Sequence, residues 1–414
     1  MRRFKRYICL VGLLALLAAA LTGCGFSDDS VEELFTLPRM AEEYTGLTQE
    51  LETLITQGYE YASPTGGRNI QSVQMADLDG DGQQEALAFF RMSSDEKPLK
   101  IFVFKIEGDS YARYCTIESS GTAIDSVYYQ DLNGDGRREL IVGWRISAEV
   151  QTVAVYTVAR EPVALMSSGY TRFTIQDLNG DGIPSLLVLR TDADSQPVAE
   201  FYGWQDEQMG VAYRCVLSST MASVNRGSLV SARLDADTPA LYITGVDEQG
   251  MAATDILVFR QDLGLVNLAL SGSSTGVSNA VFPYRQLMPQ DINGDGIIEL
   301  PSPDTSWTAE QTDGLVSWLC CNGDGQLSTV AKTYHSLSCG WYFTIPESWW
   351  DWSVETATTS ISNENQFSLA INGDPVLSLY TIGVNVSYDG ISLGTTSSKR
   401  AVRAAAANIE EVTR

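Results

Sequence analysis

Four segments of the chain place oxygen-bearing side chains at every second residue of a glycine-rich loop. They read DLDGDGQQE at 77–85, DLNGDGRRE at 131–139, DLNGDGIPS at 177–185 and DINGDGIIE at 291–299. Counted from the first aspartate, a carboxylate or amide stands at positions 1, 3 and 5, glycine at 6, and in three copies glutamate at 9. Hard cations such as Ca2+ take six to eight oxygens at about 2.3–2.6 Å. Oxygens at positions 1, 3 and 5 of a tight loop converge on one point, position 7 offers its backbone carbonyl, and the glycine permits the sharp turn. An EF-hand or dockerin loop begins in the same way but needs an acid at position 12 and a helix behind it. Here position 12 is Ala88, Val142, Val188 or Ser302, and the residues that follow are strand-like.

The elements that must hold these loops are short β-type runs. ALAFFRM, PLKIFVFKI and SYARYCTI follow the first loop, LIVGW, TVAVYTV and EPVALMS the second, and LLVLR, AEFYGW and AYRCVL the third. Runs rich in Val, Ile, Phe and Tyr, punctuated by turns and without helical periodicity, indicate antiparallel strands. The loops start at 77, 131, 177 and 291, and the last gap is twice the usual interval. A worn copy lies midway: ARLDADTPALYI at 232–243 keeps Asp235 and Asp237 but has Arg233 in place of the first aspartate. Five units of about four strands each cannot bury both faces of their sheets alone, which points to a β-propeller. The expected fold is mainly β, with about five four-stranded blades between 68 and 335. NGDG at 322–325 has Cys320 at its first ligand position and reads as a hairpin turn.

An amphipathic helix precedes the blades. Met40, Tyr44, Leu47, Leu51, Leu54 and Ile55 recur at helical spacing between Pro38 and Gly58, within a 24–67 linker-and-helix region. A β-rich segment follows at 336–414, and its last stretch, SSKRAVRAAAANIEEVTR, reads as a helix.

The pattern DxDxDGxxE between two strands resembles the FG-GAP/VCBS-type repeats of integrin-like, calcium-binding propellers, over about residues 68–335. The resemblance implies one ligand set per loop. In the first these are Asp77, Asp79, Asp81, the Gln83 carbonyl and Glu85. In the second they are Asp131, Asn133, Asp135, the Arg137 carbonyl and Glu139, and in the last Asp291, Asn293, Asp295, the Ile297 carbonyl and Glu299. The third keeps Asp177, Asn179, Asp181 and the Ile183 carbonyl, but Ser185 replaces the acid. Three strong Ca2+ sites and one weaker site are expected. The copy at 233 is expected to hold no metal, with the Arg233 guanidinium beside Asp235 and Asp237 as a fixed cation. The four loops carry twelve side-chain acids, of which four Ca2+ ions would offset eight charges. Calcium is therefore expected as a folding ligand.

Residues 1–23 read as a removable leader. MRRFKRY is basic, ICLVGLLALLAAA is apolar and too short to span a bilayer comfortably, and LTGC ends at residue 24. LTGC resembles the bacterial lipobox, which implies a lipidated Cys24 at the mature N-terminus and attachment to the membrane outside the cytoplasm. Removing Arg2, Arg3, Lys5 and Arg6 leaves 23 basic against 52 acidic residues, a net charge of −29. That balance argues against nucleic-acid partners and anionic membrane surfaces. Besides Cys9 and Cys24, the cysteines at 115, 215, 320, 321 and 339 form no disulfide framework and no CxxC metal spacing.

No catalytic constellation emerges. GSSTG at 272–276 matches GxSxG formally, with His335 downstream, but Ser274 lies in a Ser/Gly stretch inside a β repeat rather than at a strand–elbow–helix. The acids in motifs are already assigned to metal. Trp341, Trp349, Trp350 and Trp352 read as core, with a sugar-stacking platform as the alternative. The leading expectation is a non-enzymatic, surface-anchored module binding a glycan or a protein. The alternatives are an extracellular polysaccharide-active enzyme using propeller carboxylates and a scaffold in an envelope complex.

Overall fold

A computed structural model of the protein describes residues 44–108, 110–270, 277–283, 286–304, 307, 313–337 and 340–350, and strands at 354–361, 364–371, 374–382, 391–395 and 401–406. The leader, Cys24, the first half of the expected helix, Ser274, Cys339 and Trp352 lie outside the described residues. Helix α1 spans Thr45–Thr56. The first sheet contains β1 (Glu60–Tyr61), β2 (Val73–Ala76), β3 (Glu85–Arg91), β4 (Leu99–Glu107) and β5 (Ser110–Ser119). The second meanders through β6 (Ala123–Gln130), β7 (Glu139–Arg145), β8 (Gln151–Tyr156) and β9 (Ala164–Gly169). The third uses β10 (Arg172–Gln176), β11 (Ser185–Thr191), β12 (Pro197–Gln205) and β13 (Gln208–Val216). The fourth uses β14 (Ser228–Arg233), β15 (Pro239–Val246), β16 (Ala252–Arg260) and β17 (Gly264–Asn267), with β18 (Val281–Phe282) also on β16.

The fifth sheet is shifted by one strand. Its strand before the loop is reduced to a single bridge, Gln290 to Glu299, and it continues as β19 (Leu300–Pro303), β20 (Asp313–Cys321), β21 (Leu327–Ser336) and β22 (Trp341–Ile345). The blade region therefore runs past 335, and β1 brings residues 60–61 into the first sheet from the segment read as linker and helix. Asn322 Oδ1 accepts from the Asp324 and Gln326 amides, closing NGDG as the β20–β21 hairpin turn.

Side-chain alternation explains why the blades stack. In β3, Leu87 and Phe89 share a core with Leu140, Val142 and Trp144 of β7, whereas Ala86, Ala88 and Phe90 face α1 through Leu47 and Leu54. The other face of the second sheet, with Ile141, Val153 and Val155, packs on Leu186 and Val188 of the third. Leu187, Leu189 and Phe201 then meet Leu241, Ile243 and Leu257 of the fourth. Tyr242, Ile256 and Val258 meet Leu300 and Cys321 of the fifth. In the first four sheets the middle strands are buried on both faces and read as continuous apolar runs, whereas β20 of the fifth alternates. These five antiparallel sheets are the blades of a β-propeller, and a helix instead of a blade covers the far face of the first. Ile55, expected on the apolar stripe of that helix, is 48 % exposed on its outer side.

A sixth antiparallel sheet follows: β23 (Val354–Ile361), β24 (Glu364–Ile371), β25 (Asp374–Ile382), β26 (Ile391–Thr395) and β27 (Ala401–Ala406), in the order β23-β24-β25-β27-β26. The helix expected from SSKRAVRAAAANIEEVTR is overturned at its alanine run. Ala401–Ala406 pairs with β25 on one side and β26 on the other, so ladder hydrogen bonds override the helical propensity of alanine. Among the described residues no helix is long and apolar enough to cross a membrane.

Candidate metal loops

Each loop joins the strand before it to the strand after it, and all four full-length copies adopt one geometry. In the second, Asp131 Oδ1 accepts from the Gly134 amide at 2.6 Å and Oδ2 from Gly136 at 2.8 Å. Asn133 Oδ1 accepts from Asp135 (2.9 Å), and Asp135 Oδ1 from Arg137 (2.8 Å). Asp77, Asp177 and Asp291 repeat the two contacts to the glycine amides at positions 4 and 6. The third loop also keeps Asn179 to Asp181 and Asp181 to Ile183, and the last keeps Asn293 to Asp295 and Asp295 to Ile297. In the first, Asp79 accepts from Asp81 and Asp81 from Gln83. The glycines at position 6 have φ between 84° and 87°, which an L side chain rarely adopts.

The glutamates at position 9 turn inward. Glu85, Glu139 and Glu299 are 2 %, 5 % and 1 % exposed. Each accepts from the backbone amide at position 2, from Leu78 (2.7 Å), Leu132 (2.9 Å) and Ile292 (2.9 Å). Burial raises all three carboxyl pKa values, and the neighbouring aspartates raise them further. Ligand oxygens of Asp77, Asp79 and Glu85 lie within 4.8 Å of one another. Ser185 forms no corresponding bond to the Leu178 amide among the described contacts, so the third loop lacks the inward carboxylate.

The donor set is all oxygen, rich in carboxylate and fixed by backbone amides, which fits a hard divalent cation and not a soft one. Four side-chain donors with one carbonyl leave the rest of a six- to eight-oxygen shell to water. Among the described residues no lysine or arginine forms an ion pair with Asp131, Asp135, Glu139, Asp291, Asp295 or Glu299. The first loop differs. Lys105 of β4 binds Asp79 Oδ2 and lies 3.7 Å from Glu85 Oε1, and that hydrogen bond holds the Asp79 pKa below its usual value. Sequence reasoning missed Lys105, although one charged residue inside the apolar run FVFKI was its signal.

The worn copy is one residue shorter. Ala232 pairs with Ala240 where Gln130 pairs with Glu139, so a buried alanine takes the acid position. Arg233 donates to the Ala236 carbonyl, and among the described residues it forms no ion pair with Asp235 or Asp237, contrary to the expected fixed cation. The Asp235 carboxylate is occupied by the Asp237 and Thr238 amides.

Consecutive loops touch. The Arg138 amide donates to the Leu78 carbonyl at 2.7 Å, and a Cβ on Gly80 would lie 2.5 Å from the Gly136 carbonyl. A Cβ on Gly134 would meet Ile183 Cδ1 at 2.7 Å. The loops thus line one end of neighbouring blades.

The other sequence candidates are structural. His335 is buried in β21, stacked on Tyr342 at 5.1 Å, and burial lowers its pKa to about 4. Trp349 is buried, Trp350 Nε1 donates to the Ile345 carbonyl, and Trp341 leans on Tyr334, while Trp349 and Trp350 also line a recess of about 350 Å3 with Lys332. Cys115 and Cys321 are buried free thiols, and Cys215 and Cys320 are also unbridged. A recess of about 1080 Å3 opens between the third and fourth blades, lined among others by Pro197, Arg214, Met221, Gln249 and Leu265.

No family model matches the chain, and no curated protein does. Among solved structures it overlaps a rhamnogalacturonan lyase of Bacillus licheniformis with 16% identity, 83% of this chain, 72% of that one and a TM-score of 0.35. The β-propeller domain of the Trilobed protease from Pyrococcus furiosus overlaps with 11% identity, 81% and 93% coverage and a TM-score of 0.28. Sqt1 of Saccharomyces cerevisiae gives 13%, 76% and 84%, and 0.30.

Proposed function

We propose that the chain is a calcium-stabilised propeller module of the FG-GAP/VCBS type, tethered outside the cytoplasm through a lipidated Cys24, and that it captures a glycan or protein. The observation that carries the reading is the repetition of one oxygen-only loop geometry in four blades, with buried glutamates in three. A carboxylate buried beside two other acids is costly unless a cation joins it. Calcium supplies that charge at the second and last loops, shares the first with Lys105, and binds more weakly at the third. The recess between the third and fourth blades is of a size that encloses a ligand segment, and we assign capture to it. Glycan and protein arrays probed with and without EDTA test the module. Calcium-dependent capture that Met221→Trp abolishes supports the reading; hydrolysis or elimination of a polysaccharide would replace it with an enzyme. Mass spectrometry of the membrane fraction tests the anchor, and an unmodified Cys24 would overturn it.

A further inference from the structure

The first loop differs from its copies in two positions at once. It has Asp79 at position 3, where the others have Asn133, Asn179 and Asn293. It also has Lys105 on the adjoining strand. The β3–β4 ladder pairs Ala86 with Phe104, and one further step sets Lys105 opposite Glu85. The same step in the other blades sets Thr157 opposite Glu139, Gly203 opposite Ser185 and Cys320 opposite Glu299. In the worn copy Val258 faces Ala240. Only the blade with the extra carboxylate carries a cation at this register position.

The geometry joins the two changes. The Lys105 ammonium binds Asp79 Oδ2, approaches Glu85 Oε1 at 3.7 Å and sits 4.7 Å from the centre of the Tyr114 ring. Its side chain is only 15% exposed, so it is built into the blade. In the other three loops the position-3 residue is itself a donor, to the carboxylate at position 5: Asn133 Nδ2 to Asp135, Asn179 Nδ2 to Asp181 and Asn293 Nδ2 to Asp295. With Lys105 counted, the first loop carries the same net charge as the last, four acids and one base against three acids.

We infer that Lys105 is a tethered internal cation that holds the first loop in shape without metal and competes with calcium there. The inference rests on the calcium reading and deepens it. The ammonium engages an oxygen of Asp79 that a bound ion would use, and it repels an incoming divalent ion across a few ångströms. The first blade, which α1 covers, is then formed before calcium arrives, and the metal-dependent loops lie further along the chain.

Hydrogen exchange read by mass spectrometry on the full chain tests this, with calcium alone as the probe. In EDTA the peptide covering 77–85 should stay protected while those covering 131–139 and 291–299 lose protection. Lys105→Met should make 77–85 lose protection in EDTA and regain it at a calcium concentration at least about tenfold lower than the wild type needs for any calcium response there. The reciprocal Asn133→Asp/Thr157→Lys pair keeps the idea testable if the first variant folds poorly. It should move the calcium midpoint of 131–139 upward by a similar factor. If 77–85 behaves alike in wild type and Lys105→Met while the other loops still respond to calcium, the role of Lys105 is overturned. If no loop responds to calcium in any variant, the calcium reading itself fails and takes this inference with it.

Discussion

Replacing Glu139 by glutamine should have opposite consequences with and without calcium. The wild-type carboxylate is 5 % exposed, accepts from the Leu132 amide at 2.9 Å, and has its pKa raised by burial and by Asp135 and Asp131. Glutamine keeps the shape and can still accept from Leu132 through Oε1, while removing a buried charge. In EDTA, Glu139→Gln should therefore melt at the wild-type temperature or above it. With free calcium at 100 times its Kd, an intact site adds about 2.7 kcal/mol, provided the unfolded chain does not bind. At about 2.1 cal/mol/K per residue over ~300 blade residues, that corresponds to about 4 °C in Tm, most of which the variant should forfeit. Calorimetry of both proteins in both buffers gives four melting temperatures, and the signature is a crossing. An equal loss in EDTA and in calcium would show that the carboxylate only anchors the Leu132 amide, and the metal argument would collapse at this loop.

EDTA should lower the Tm of the wild type, and Asp135→Ala should lower it more than Asp237→Ala, because the shortened fourth loop has Ala240 at the acid position; circular dichroism melts compare them. Gly80→Ala should destabilise more than Gly82→Ala in urea titration. Both glycines have positive φ, but only a Cβ at Gly80 collides with the neighbouring loop, at the Gly136 carbonyl. Leu54→Ala should cost about 2–5 kcal/mol, since Leu54 of α1 is fully buried in the core shared with Phe90. His335 has a folded pKa of about 4, below its unfolded value near 6.5, so protonation favours the unfolded chain. Its contribution is complete above about pH 6.5 and lost as pH falls towards 4, by at most about 3 kcal/mol; subtracting the pH–stability curve of His335→Phe should isolate that loss.

The repeat was legible because its chemistry is local. Aspartates two apart, glycines at the turns and apolar runs after each loop are visible without knowing any long-range contact, and the blades follow from them. The hidden worn copy was found by interval alone, yet its missing residue shows only in the Ala232–Ala240 pairing. Lys105 was missed because its importance depends on cross-strand register, which sequence spacing does not display. The terminal alanine run misled for a related reason. Helix propensity is an intrinsic preference of about a kcal/mol or less per residue, and two flanking strands outweigh it at 401–406. Trp349 and His335, read from the sequence as core and as no part of a catalytic constellation, are both buried.

The sharing of each hydrophobic core by two neighbouring sheets makes the array indivisible. Leu87 and Phe89 of one blade have their apolar partners in Val142 and Trp144 of the next, and the same holds at each later junction. Cutting the chain between any two blades would therefore bare half a core on both fragments. Nearest-neighbour coupling of this kind makes melting propagate from a breach as a front rather than stay confined to one repeat. A protease that nicks one inter-blade connection of the folded protein should find few stable intermediates to leave behind. That all-or-none resistance would be inherited from how the sheets are paired, independent of what they hold.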